Sequence, residues 1–106
     1  MVTELTRDQY ETLVIQSKKP VIIDLYAVWC GPCKQLAPQF VTVAHDLGDS
    51  YNFFKVNVDE EPELAAQFNV TSIPTILFIK NGVVVDRMMG YMHAEDLKEK
   101  ITTILK

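Results

Sequence analysis

An α/β fold, a central mixed five-stranded sheet flanked by four helices, is predicted by three features of this 106-residue sequence. Strand-like apolar runs alternate with stretches of helical periodicity in the order β-α-β-α-β-α-β-β-α. The run Val21 to Ala27 is apolar on both faces, as a buried central strand requires. The last two strands are separated by Asn81-Gly82, the signal of a tight hairpin, so at least one pair is antiparallel. No repeat, linker or low-complexity tract interrupts the pattern, and one domain spanning residues 1–106 is expected.

Met1 to Leu5 suits a short edge strand. Thr6-Arg7-Asp8-Gln9 has the form of a capping box, and Tyr10, Leu13 and Val14 then follow at helical spacing. Ser17-Lys18-Lys19-Pro20 ends that helix. Val21 to Ala27 is the central strand, interrupted only by Asp24. A carboxylate is almost never fully buried without a partner, and desolvation should raise its pKa. The bland alternative is a strand-end carboxylate bonded to backbone amides.

The next helix carries Leu36, Phe40, Val43 and Leu47, an apolar stripe that reads as core. Pro38 falls inside it and should kink it. Gly48-Asp49-Ser50 closes it. Tyr51 to Val58 alternates, with Phe54, Val56 and Val58 on one face and Phe53, Lys55 and Asn57 on the other. A lysine on a core strand either finds a partner or snorkels to water with a buried stem.

Asp59-Glu60-Glu61-Pro62 is an acidic helix start, after which Leu64, Ala65 and Phe68 face inward. Asn69-Val70-Thr71 matches a glycosylation sequon, a pattern frequent by chance, and is discounted. Thr75 to Ile79 and Val83 to Met89 form the hairpin strands. Ala94 to Leu105 is the final helix, with Leu97, Ile101, Ile104 and Leu105 inward and Lys98, Glu99 and Lys100 in solvent.

The chemistry concentrates at the junction between the central strand and its helix. Trp29-Cys30-Gly31-Pro32-Cys33 holds the only two cysteines, beside the only tryptophan. A Cys-x-x-Cys at a strand-to-helix turn points to thiol–disulfide exchange. At a helix N-terminus, unpaired N–H groups and the positive end of the dipole favour the Cys30 thiolate. Cys33, three residues on, shares its helix face and is placed to resolve a mixed disulfide. Pro32 suits the first turn, and Gly31 admits a close partner backbone. A purely structural disulfide closing about four residues would contribute only roughly 2 kcal/mol in the chain-entropy model. Half of a zinc site is the other alternative, but only His45 and His93, far apart, could complete it.

With Asp24 six residues before Cys30 and Ser72-Ile73-Pro74-Thr75 downstream, Trp-Cys-Gly-Pro-Cys-Lys resembles the thioredoxin family over almost the whole chain. The resemblance implies the thioredoxin fold and a protein-disulfide reductase. Cys30 would be its nucleophile, Cys33 its resolving thiol and Asp24 the group that takes the Cys33 proton. It also implies that Lys55 approaches Asp24 and modulates it. By propensity alone Ile73–Pro74 would be trans; the resemblance implies cis, packed against the cysteines, with the Ile73 backbone pairing to an extended substrate segment. Trp29, Ile73, Pro74, Met89, Gly90 and Tyr91 would form the docking surface. An NADPH-dependent thioredoxin reductase would recycle the protein, and oxidised peroxidases and reductases would be its clients. Tyr26, Val28, Ser72 and Tyr91 depart from common family choices and bear on partner preference. Gly-Pro between the cysteines resembles the reducing members; an oxidising relative and a non-enzymatic binding module are the rival readings.

Composition narrows the rest. The formal charge of −4 and the lack of a basic run argue against nucleic acid and anionic membranes. No stretch approaches the roughly 20 apolar residues of a membrane span, and Met1-Val2-Thr3-Glu4 lacks the basic and apolar regions of a signal peptide. A cytoplasmic monomer without metal or bound cofactor is expected.

Overall fold

The computed structural model describes all of residues 1–106. Five strands, β1 (Val2–Glu4), β2 (Val21–Tyr26), β3 (Asn52–Asn57), β4 (Thr75–Lys80) and β5 (Val83–Met89), form one sheet in the order β1-β3-β2-β4-β5. The β1–β3 and β3–β2 pairs are parallel; β2–β4 and β4–β5 are antiparallel. The sheet is therefore mixed, with β2 in the middle and β1, within the Met1 to Leu5 stretch expected to be an edge strand, at an edge.

Helices cover both faces because the strands bury both. On one face Ile22, Phe53, Ile76 and Phe78 pack against α1 (Gly31–Leu47) and α3 (Ala94–Ile104). On the other, Val21, Ile23, Leu25, Val56 and Leu77 pack with Leu5, Val14, Leu64 and Phe68, from the N-terminal segment and α2 (Pro62–Gln67). Each fully buried large aliphatic side chain contributes about 1.5–3 kcal/mol relative to exposure. In α1 the buried positions are Cys33, Leu36, Phe40, Val43 and Ala44, and Leu47 is only half-buried. Pro38 is accommodated within the unbroken run of α1.

The segment after Thr6 differs from the expected regular helix. It is a 3-10 turn at Arg7–Gln9 followed by a wider π turn at Glu11–Ile15, closed by the Gln16 N–H donating to the Glu11 carbonyl at 3.0 Å. The capping interaction is present, with the Thr6 N–H donating to Gln9 Oε1 at 3.2 Å. A segment this short gains little from helix propensity, so packing decides its winding. Tyr10 meets the Phe68 ring edge-on at 5.4 Å, and Val14 is fully buried.

The hairpin follows its sequence signal. Asn81 and Gly82 have φ of +54° and +77°, the left-handed pair that a type I′ turn needs. Two contacts not legible in the sequence lock the helices. Gln39 of α1 accepts the Ala94 N–H at 2.9 Å, capping α3 from another element. Arg87 of β5 donates to the Phe68 carbonyl at 2.6 Å, at the C-terminus of α2.

Candidate functional site

Cys30 is the N-cap of α1, with extended backbone (φ −88°, ψ 116°), and Pro32 lies in the first turn. Strand β2 delivers the chain to this point through Ala27, and the Cys30 N–H returns to the Ala27 carbonyl at 3.3 Å. Cys30 and Cys33 are joined by a disulfide across one helical turn, with Cα atoms 5.2 Å apart. The Cys33 N–H donates to Cys30 Sγ at 3.2 Å. That bond grows stronger when Cys30 carries negative charge, so the first turn of α1 stabilises a thiolate there.

Both cysteines are buried, at 5% and 3% exposure, against Ala27, Val58 and Ile73. The chain around them is not. Val28 and Trp29 are 64% and 67% exposed, and Met89 and Tyr91 are also exposed. The Ile73–Pro74 bond is cis, and the Ile73 carbonyl oxygen lies 3.9 Å from Cys30 Sγ. Gly90, with φ +91°, donates its N–H to the Pro74 carbonyl at 2.9 Å. Gly90 thereby places Met89 and Tyr91 on the rim of the loop that contacts Cys30. The structure thus brings Cys30, Ile73, Pro74 and Gly90 together from three distant parts of the chain, and the exposed Trp29 directly precedes Cys30.

Asp59 joins this region through Trp29, a role that its place at an acidic helix start does not signal. Its Oδ2 accepts the Trp29 indole N–H at 2.8 Å. Asn57 supports it, accepting the Asp59 and Glu60 N–H groups at 2.9 and 3.3 Å. A carboxylate next to a strand-end asparagine was the available signal, but nothing in the sequence ties it to a tryptophan 30 residues earlier.

Asp24 lies on the α1 side of β2, in alternation with Ile22. It is 4% exposed, and its Oδ1 has no hydrogen-bond partner in the protein. It borders a cleft of about 510 Å³ lined also by Ala37, Phe40, Val41 and Lys55. Ala37 stands one turn after Cys33 on α1, so the cleft begins one turn below the disulfide. Burial pushes the Asp24 pKa up to about 7; the Lys55 charge lowers it, and the Glu4 charge raises it. A carboxyl poised near neutrality can hold or release a proton under ordinary conditions.

Lys55 is the register partner of Asp24 across β2 and β3, yet it makes no ion pair with it within 4 Å. Its ammonium turns instead to Glu4 at 3.9 Å and over the Tyr26 ring at 5.7 Å from the centroid. Lys55 therefore acts on Asp24 through space rather than by contact. No group of three or more His, Cys, Asp or Glu side chains forms a metal cage, and no helix is long and apolar enough to cross a membrane.

A mixed sheet with a cysteine pair at the N-terminus of a helix packed on its central strand defines a thiol–disulfide oxidoreductase. The family model described as thioredoxin matches residues 1–103. Thioredoxin of Mycoplasma genitalium is 44% identical over 87% of this chain and 89% of its own. That of Chlorobaculum thiosulfatiphilum is 41% identical over 92% of this chain and 91% of its own. The crystal structure of Malassezia sympodialis thioredoxin superposes with a TM-score of 0.89 at 34% identity, covering 100% of this chain and 92% of that one. The chain belongs to the thioredoxin family, and is a protein-disulfide reductase with Cys30 and Cys33 as its redox pair.

Proposed function

We propose that this protein carries electron pairs to oxidised client proteins, among them peroxidases and reductases, and is re-reduced by an NADPH-dependent thioredoxin reductase. In the reduced form the Cys30 thiolate attacks one sulfur of a client disulfide. The client S–S bond breaks, a mixed disulfide forms, and one client thiolate leaves and takes a proton. Cys33 passes its own proton to the Asp24 carboxylate and attacks Cys30 Sγ. The internal disulfide closes, the second client sulfur leaves as a thiolate and takes up the proton that Asp24 returns by way of solvent, and two electrons have moved to the client.

The single observation that carries this reading is the position of Cys30. It caps α1, accepts the Cys33 N–H at 3.2 Å, and rests beside the Ile73 carbonyl. An extended client segment would add as a strand to the Ile73 backbone, with Trp29, Pro74, Met89, Gly90 and Tyr91 around it. Gly31 and Pro32 leave room for the approach: a Cβ at Gly31 would meet nothing within 4 Å. Lys55 modulates Asp24 by its charge. With both cysteines in the exchange pair, no structural disulfide calls for an oxidising compartment, which supports a cytoplasmic location. The protein works as a monomer, one domain over residues 1–106.

The test is Cys33→Ser. It removes the resolving thiol and is expected to leave clients attached to Cys30 as mixed disulfides, released by reductant. A variant that accumulates no adducts from an oxidised extract overturns the electron-carrier reading.

A further inference from the structure

The parallel register of the first three strands places Glu4, Lys55 and Asp24 in one row across the sheet, with Lys55 between two carboxyl groups. The flanks are unequal. Asp24 is buried and makes no ion pair with Lys55, whereas Glu4 is partly open and takes the ammonium at 3.9 Å. Glu4 is itself anchored: the Tyr26 hydroxyl donates to the same Oε1 at 2.9 Å. Tyr26 lies two residues beyond Asp24 on the same face of β2, so it reaches over Lys55 to Glu4.

We propose that Glu4 is a positioning residue of the redox site: fixed by the Tyr26 hydroxyl, it draws the Lys55 ammonium toward β1 and away from the Asp24 carboxyl. The competition is between two acceptors for one cation. With Glu4 occupied by Tyr26 and Lys55, Asp24 keeps only a through-space share of the positive charge. Glu4 also adds its own negative charge on the far side of Lys55. Both effects favour the protonated form of Asp24, and both vanish if Glu4 becomes neutral. The other charged and titratable groups around this row are His45 on α1, Asp49 just past it and the Met1 amino terminus just before β1, all bordering the cleft. Glu60 acts on Tyr26, and the β4 partner of Asp24 is the apolar Ile76.

This inference bears on catalysis only through the proposed role of Asp24, but its primary test does not. Asp24 titration is read by carboxyl-carbon NMR in the oxidised protein, where Cys33 has no proton to give. Glu4→Gln keeps an acceptor for Tyr26 and removes the charge; it is expected to lower the Asp24 midpoint by about 0.5–1 pH unit, the partial exposure of Glu4 limiting the effect. Tyr26→Phe, which frees Glu4, is expected to move it in the same direction by less. In a Lys55→Met background the Glu4→Gln shift should shrink to less than about half, since the cation it positions is gone. An unmoved midpoint in Glu4→Gln, or an undiminished shift in the Lys55→Met background, overturns the proposal. Unfolding midpoints of the variants, close to the parent's, show that the readout is electrostatic rather than structural.

Discussion

The Cys30 sulfur rests 3.9 Å from the carbonyl oxygen of Ile73, a residue 43 positions further along the chain. The contact exists because α1 begins where the loop before β4 ends, and β2 and β4 are neighbours in the sheet. The loop is held from its other side by the bond from the Gly90 N–H to the Pro74 carbonyl. Cysteines, Pro loop and Gly90 therefore form one mechanical unit.

Gly90→Ala should loosen that unit. A Cβ there meets no atom within 4 Å, so the cost comes from backbone conformation alone, at φ +91°. About 1–2 kcal/mol of stability should be lost. Calorimetry should show a lower Tm, and disulfide-reduction kinetics should show a raised KM with kcat largely kept. An unchanged KM would mean that the loop tolerates relaxation at Gly90.

Asp24→Asn should remove a pH-dependent cost of folding. The folded-state pKa of about 7 lies above the ordinary 3.8, so the native state binds the proton more tightly than the unfolded chain. Unfolding releases a proton between those values, and stability from this group declines as pH rises from one to the other. At about 1.4 kcal/mol per pH unit, the penalty above neutrality is roughly 3–5 kcal/mol. Urea unfolding of the oxidised protein should show the variant and parent nearly equal in acid, and the variant more stable in mild alkali. Equal stability at both ends would contradict a raised Asp24 pKa.

Asp59→Ala releases the Trp29 indole from its 2.8 Å bond. The bond is solvent-exposed, so its contribution to stability is small, about 1 kcal/mol or less. Its value lies in holding a 67%-exposed ring in one orientation beside Cys30. The variant is expected to reduce protein disulfides roughly 3–10-fold more slowly in kcat/KM, an amount of order 1 kcal/mol of lost orientation. Reduction of a small-molecule disulfide should change little, since it needs no docking surface.

Gln39→Ala deletes the cap that α1 supplies to α3 through the Ala94 N–H. About 1 kcal/mol of stability should be lost, the usual worth of a helix cap. Hydrogen exchange should locate the loss at the start of α3, where His93 alone, through the Glu95 N–H, remains as a side-chain cap. Uniform acceleration throughout the helix would point to a global effect instead.

The strands were legible because period-two alternation and continuous apolar runs report burial directly. Val21 to Tyr26 needed no tertiary information to be placed at the centre. The helical stripe of α1 and the Asn81-Gly82 turn were equally local signals. The first helical segment was not. Its few residues carry too weak a preference to fix a winding, and it docks through Tyr10 against Phe68 as a 3-10 turn followed by a π turn.

The cysteine pair, its place at the opening of a helix and a carboxyl interrupting the apolar strand before it were legible in the sequence alone, since each depends on neighbours within one turn or one strand. The choice of Glu4 over Asp24 as the acceptor for Lys55, and of Asp59 as the anchor of Trp29, was decided only by the tertiary structure. Both are contests between charged groups distant in the chain, won by whichever acceptor the sheet order and turn geometry bring within reach at the smaller desolvation cost.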